Sequence, residues 1–170
     1  MFIFQRSLVI VACSAFVALV SGGCGGSSSS TTTQPSQSGT KKLTATITPV
    51  ATSQGQQVAG PTLFTALNVT GALLANGTVG IAGTANGPSL NINLTNITGA
   101  GTYPITSASW SDSTGVYVVF NGGSGTITFT TATTARITGT FSFVANDIPS
   151  GNPAQKRVNV TNGVFDITPQ

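Results

Sequence analysis

Arg136-Ile137-Thr138-Gly139-Thr140-Phe141-Ser142-Phe143 sets a polar residue against an apolar or small one at every step. A period of two is the mark of a β-strand with one buried face, because successive side chains leave a strand on opposite sides. The same alternation recurs elsewhere in the chain. Leu43, Ala45 and Ile47 interleave with Thr44, Thr46 and Thr48, and Leu90, Ile92 and Leu94 with Asn91, Asn93 and Thr95. Ile127 and Phe129 sit among Thr126, Thr128 and Thr130. Weaker patterns predict strands near 62–70, 77–85, 101–106, 116–121 and 157–168. Beyond residue 40 no window sustains an apolar stripe at the helical period.

The punctuation fits hairpins. Asn86-Gly87 lies between two strand patterns, and a two-residue hairpin turn needs the positive φ that Asn and Gly tolerate. Asn76-Gly77 and Asn121-Gly122-Gly123 repeat the signal. Near the C-terminus Val158 and Val160 share one parity, whereas Phe165 and Ile167 have the other. A β-bulge at Asn162-Gly163 would restore the inward direction. About nine strands without a crossover helix predict an all-β antiparallel meander, closed as an up-and-down barrel or packed as a two-sheet sandwich.

The 170 residues carry six basic and three acidic side chains and no His, so the pI near 9.2 reflects scarce charge and not a basic surface. Lys41-Lys42 and Lys156-Arg157 are isolated pairs. Nucleic-acid binding needs a stripe of such groups, so it is not an expected partner. Thr, present 28 times, supplies much of the polar surface and suits a pleated strand.

The N-terminus reads as an address. Arg6 precedes an apolar run of thirteen residues, Leu8 to Val20, which is short for the roughly 20 residues of a permanent span. Ser21-Gly22-Gly23 and then Cys24 follow. This resembles the lipobox of bacterial lipoproteins, although Ser21 stands where that motif prefers Leu. Lipidation at Cys24 competes with ordinary signal-peptidase cleavage, with an uncleaved anchor and with a lipobox at Cys13, which leaves almost no apolar run before it. If Cys13 departs with the leader, Cys24 has no partner within the chain, and an attachment point accounts for it. Residues 24–40 contain only Cys, Gly, Ser, Thr, Gln and Pro, and cannot bury a core. As a tether they span about 20–25 Å. The expected organisation is thus a lipoprotein signal peptide (1–23), a disordered Gly/Ser/Thr-rich tether (24–40) and one all-β domain (41–170). The expected location is the cell envelope, on the outer membrane if the cell has one.

A family resemblance runs from Phe64 to Pro169. Gly101-Thr102-Tyr103, Gly125-Thr126-Ile127-Thr128, Gly139-Thr140-Phe141-Ser142-Phe143 and Thr161-Asn162-Gly163-Val164-Phe165-Asp166 follow in order. In this the chain resembles a family of uncharacterised bacterial lipoproteins. The resemblance implies a lipid anchor and a single β-domain, and it brings no activity or site residue with it.

The chemical inventory is thin. Without His, neither a Ser-His-Asp nor a Cys-His arrangement can be built, and metal sites lose imidazole. Asp112 and Asp147 lie in turn-like sequence, and Asp166 at an outward strand parity. No catalytic residue, metal or cofactor is expected. Calcium at Asn146, Asp147 and Asn152 lacks the usual acidic spacing. Tyr103 and Tyr117 read as strand aromatics. Trp110, the single Trp, falls between two strand patterns and has two readings. It caps the core, or it stacks on a sugar or small ligand. The leading expectation is a non-catalytic envelope lipoprotein with a structural or interaction domain whose partner, a protein or a glycan, is unspecified. The alternative is a carbohydrate- or small-ligand-binding lipoprotein.

The leader yields one prediction. Cys24→Ala should release the mature domain into the soluble fraction and abolish labelling by a fatty-acid probe. Labelling that persists, or moves to Cys13, contradicts the assignment.

Overall fold

A computed structural model of the chain describes residues 41–50, 60–119, 122–148 and 156–169. The leader, the tether and Cys24 lie outside the described residues, as do Asn121 and Asn152. The described residues form eleven strands and no helix. They are β1 (Lys41–Val50), β2 (Thr62–Thr65), β3 (Asn68–Leu73), β4 (Val79–Thr84), β5 (Ser89–Leu94), β6 (Gly101–Pro104), β7 (Ser107–Asp112), β8 (Gly115–Val118), β9 (Ser124–Ala132), β10 (Ile137–Asp147) and β11 (Arg157–Ile167). Nine of them make one antiparallel path in the order β2-β1-β11-β10-β8-β7-β5-β4-β3, curled into a half-barrel. β9 branches from β10 and carries β6 on its other side, with β9 along Ile137 to Val144 of β10 and β8 meeting its last two residues.

The all-β antiparallel expectation holds, and the differences are local. The segment after residue 106 has the composition of a connection, yet Ser107–Asp112 is a strand in which Ala108 and Trp110 turn inward. The run 62–70 is two strands broken at Ala66-Leu67. There the Ala66 N–H donates to the Leu43 carbonyl and the Leu67 N–H to the Thr84 carbonyl. The chain thereby passes from β2, paired with β1, to β3, paired with β4, and two glycines let β3 and β4 come close to β11 and β1. An ideal Cβ at Gly71 would sit 2.8 Å from Ile167 Cδ1, and one at Gly83 would sit 2.5 Å from Leu43 Cδ2.

The expected bulge is present. Phe141 faces Gly163 and Phe143 faces Val160, so β11 holds one more residue than β10 between these pairs. Asn162 takes φ 51°, a conformation its short polar side chain tolerates. Val158 and Val160 before it and Phe165 and Ile167 after it are all buried. At Asn86-Gly87 the Ala85 N–H meets the Pro88 carbonyl across a two-residue turn, with Gly87 at φ 106°.

Burial is continuous along the interior. Val79, Leu90, Ile92, Ile127, Ile137, Val160 and Ile167 are fully enclosed. A chain of rings crosses four strands. Tyr103 meets Phe129 edge-on at 5.9 Å, Phe129 meets Phe165 at 5.4 Å, and Phe141 lies 6.4 Å from Phe165 and 6.2 Å from Phe143. Such pairs add about 0.5–1.5 kcal/mol each beyond area burial. Glycines sit opposite the rings: Gly139 opposite Phe129 and Phe165, Gly163 opposite Phe141, Gly125 opposite Phe143. An ideal Cβ at Gly163 would lie 2.5 Å from the Phe141 ring, and one at Gly125 would strike Phe143 Cβ. The G-T-F-S-F and T-N-G-x-F motifs are therefore packing devices.

Phe141→Ala and Phe143→Ala should each cost about 3–5 kcal/mol in denaturant unfolding, and Gly163→Ala about 1–3 kcal/mol through overpacking. A loss below about 1 kcal/mol at both Phe positions would mean that the wrong face has been assigned to the core.

Candidate functional site

At one end of the half-barrel, β1 and β2, the β4–β5 turn, the β7–β8 hairpin and the start of β11 surround a pocket of about 380 Å³. Inward parity brings Ile47, Phe64, Trp110, Tyr117 and Val158 to it, and Pro49, Leu63 and Pro88 complete its apolar wall. This is the mouth of the barrel, a favoured place for ligand sites in such folds. Leu63 stands at the lip, 71% exposed. Two broader depressions lie on the outer surface, one by Lys41, Gly71 and Pro169 and one over Thr128, Thr140 and Asn162, and both are more open than the mouth.

Trp110 is only 3% exposed. Its ring meets Phe64 edge-on at 5.1 Å, and its Nε1–H donates to Asp112 Oδ2 at 3.0 Å. It caps the core and lines the pocket at once. Asp112 ends β7, where its Oδ1 accepts the Thr114 N–H at 2.7 Å and the Thr114 hydroxyl at 2.5 Å. The Thr114 hydroxyl has one proton, so in its 2.9 Å bond with Tyr117 Oη it accepts. Tyr117 thus donates to Thr114, Thr114 to Asp112, and Trp110 to Asp112.

Partial burial pushes the Asp112 carboxyl up, but the bonds from Thr114, Trp110 and Gly115 outweigh it and hold the group below its ordinary value. All of these donors are neutral. They keep the charge ionised without cancelling it.

Of the other carboxylates, Asp166 lies near the end of β11. Asp166 faces outward and takes two bonds from Arg136, at 3.0 and 2.8 Å. The Arg136 hydrogen bond is the largest cause holding Asp166 below the ordinary range; it outweighs the opposing effect of burial, and the charges of Arg136 and Lys42 add to it. Asp147, expected in a loop, closes β10 opposite Tyr117, while Asp112 pairs with Gly115 two residues away on β8. The short β8 thus carries one carboxylate in the ladder on each side of it, an association that no local pattern encodes. Among the described residues no group of three His, Cys, Asp or Glu could hold a metal ion, and no helix is long and apolar enough to cross a membrane. Trp110 is conspicuous in the sequence, whereas its companions Tyr117, Phe64 and Leu63 are not. The hydroxyl spacing Asp112-x-Thr114-x-x-Tyr117 is the signal that could have found Tyr117.

Asp112 makes stability depend on pH in a fixed direction. Its folded value is depressed, so its contribution is full above the unfolded value, about 3.9, and is lost as pH falls through the folded one. The melting-temperature gap between the natural protein and Asp112→Asn should be widest above about pH 5 and should close at lower pH. Asp166 is common to both proteins and cancels. A gap independent of pH contradicts this reading.

No curated protein and no solved structure matches the chain. A family model, Domain of unknown function (DUF6252), matches residues 51–169. The match takes in most of the chain, from the β1–β2 connection to the end of β11, and with it every strand of the half-barrel except β1. The chain belongs to this DUF6252 family.

Proposed function

We propose that the protein is an exported, lipid-anchored, non-catalytic envelope protein whose β-domain binds a small ligand at its mouth. The apolar leader followed by Cys24, and the Gly/Ser/Thr-rich stretch after it, support the anchor and a spacer. One observation carries the binding reading. The described apolar side chains of the interior are buried, and at the mouth Phe64, Trp110 and Tyr117 frame a pocket beside an ionised carboxylate. A few polar groups converging on an apolar hollow is the general form of a small-molecule site. The absence of His from the whole chain, and the saturation of Asp112 by structural donors, weigh against acid–base chemistry there.

A second reading, a protein-interaction module, draws on a different patch. Val116 and Ile148 are 47% and 51% exposed and joined by a backbone hydrogen bond across β8 and β10. It predicts loss of partner capture on Val116→Ser with the mouth untouched.

Trp110 is the single indole of the chain, so its fluorescence reports on the mouth directly. In a screen of small amines, alcohols, carboxylates and sugars, at least one class should shift its emission saturably and raise the melting temperature. Leu63→Arg, at an exposed lip position, should weaken that response about tenfold or more. No response from any class, or equal responses in the variant, contradicts the proposal.

A further inference from the structure

The mouth has a chemical polarity, set by where its protons point. The Trp110 Nε1–H and the Thr114 hydroxyl proton are both spent on Asp112, and the Tyr117 hydroxyl proton on Thr114. Among the described residues, the hairpin side of the pocket therefore offers no free side-chain donor. It offers acceptors: Tyr117 Oη keeps a lone pair, and behind it stands an ionised carboxylate neutralised by no cation within its own network. Three aromatic rings and the apolar wall of Ile47, Pro49 and Leu63 make up most of the rest of the cup, and the hydroxyls that line it outside the hairpin belong to Thr62 and Thr65, exposed residues of β2. The basic residues at the head of β11 do not line it: Lys156 is exposed, and the Arg157 Nε–H donates to Asn146 Oδ1 at 3.1 Å.

From this we infer that the mouth selects a small apolar amine, a protonated amino head on a hydrocarbon body, and rejects carboxylates of the same shape. The head sits at Tyr117 Oη in the field of Asp112, where aromatic faces also favour a cation. The body covers Phe64 and Leu63. A volume of about 380 Å³ sits at the small end of ligand pockets, which suits a body of a few carbons. This inference rests on the mouth being a binding site and adds the ligand class.

The test uses three probes of one length, hexylammonium, hexanol and hexanoate, titrated into the mature domain with Trp110 emission as the readout. Hexylammonium should bind about tenfold more tightly than hexanol, and hexanoate more weakly than either. Asp112→Asn should bring hexylammonium and hexanol to similar affinity. Should that variant fold poorly, salt decides on the natural protein: rising ionic strength should weaken hexylammonium binding several-fold and spare hexanol. Hexanol or hexanoate binding as tightly as hexylammonium overturns the amine assignment and leaves the mouth as a binding site. The same holds if all three probes fail while another small molecule moves Trp110 emission. If no small molecule moves that emission, the site and the assignment fall together.

Discussion

The fold depends on glycines that face phenylalanines across neighbouring strands. Gly139 lies opposite both Phe129 and Phe165, Gly163 opposite Phe141, and Gly125 opposite Phe143. Each ring occupies the space a side chain would need on the next strand, so ring and glycine fix each other's position. A register slip of one residue would turn the alternation inside out, and a slip of two would set Phe141 against Phe165. The bulge at Asn162 is part of the same constraint. It lets Val158, Val160, Phe165 and Ile167 all point inward from one strand. β11 then pairs with β1 on one side and β10 on the other, which joins the two ends of the chain's β region.

What the sequence made legible follows the strength of its alternation. β10, β9, β5 and the first half of β1 bury an apolar side chain or a glycine at alternate positions, and their period of two is plain. So is the bulge, because an inserted residue lets two apolar pairs of opposite parity face inward from one strand. β7 was hidden for a physical reason. Its inward residues are Ala108 and Trp110 and its outer ones are serines, a composition that suits loops as well as strands. The break between β2 and β3, and the branching of β10 between β8 and β9, depend on which strands meet. One-dimensional periodicity does not encode that.

The site was legible in one residue and silent in the rest. Trp110 stood out as the only indole, and its two readings are compatible, because a side chain at the end of a barrel can seal the core with one edge and border a pocket with another. Its partners come from β2, β8 and the start of β11, positions no local motif connects. The hairpin β7–β8 is the exception. Asp112, Thr114 and Tyr117 are close in sequence, and their hydrogen bonds run in one direction toward the carboxylate. That direction gives the mouth an acceptor face and separates it chemically from the hydrocarbon interior.

Ile81, Ile92, Phe129 and Ile137 are buried in the interior while Leu63, Phe64 and Trp110 line the mouth, and noble-gas crystallography probes that arrangement directly. Xenon enters dry apolar space without needing a specific partner. A crystal of the mature domain under xenon pressure should show the gas beside Leu63, Phe64 and Trp110, and none among Ile81, Ile92, Phe129 and Ile137. Xenon within that inner cluster, with the mouth empty, would contradict this arrangement.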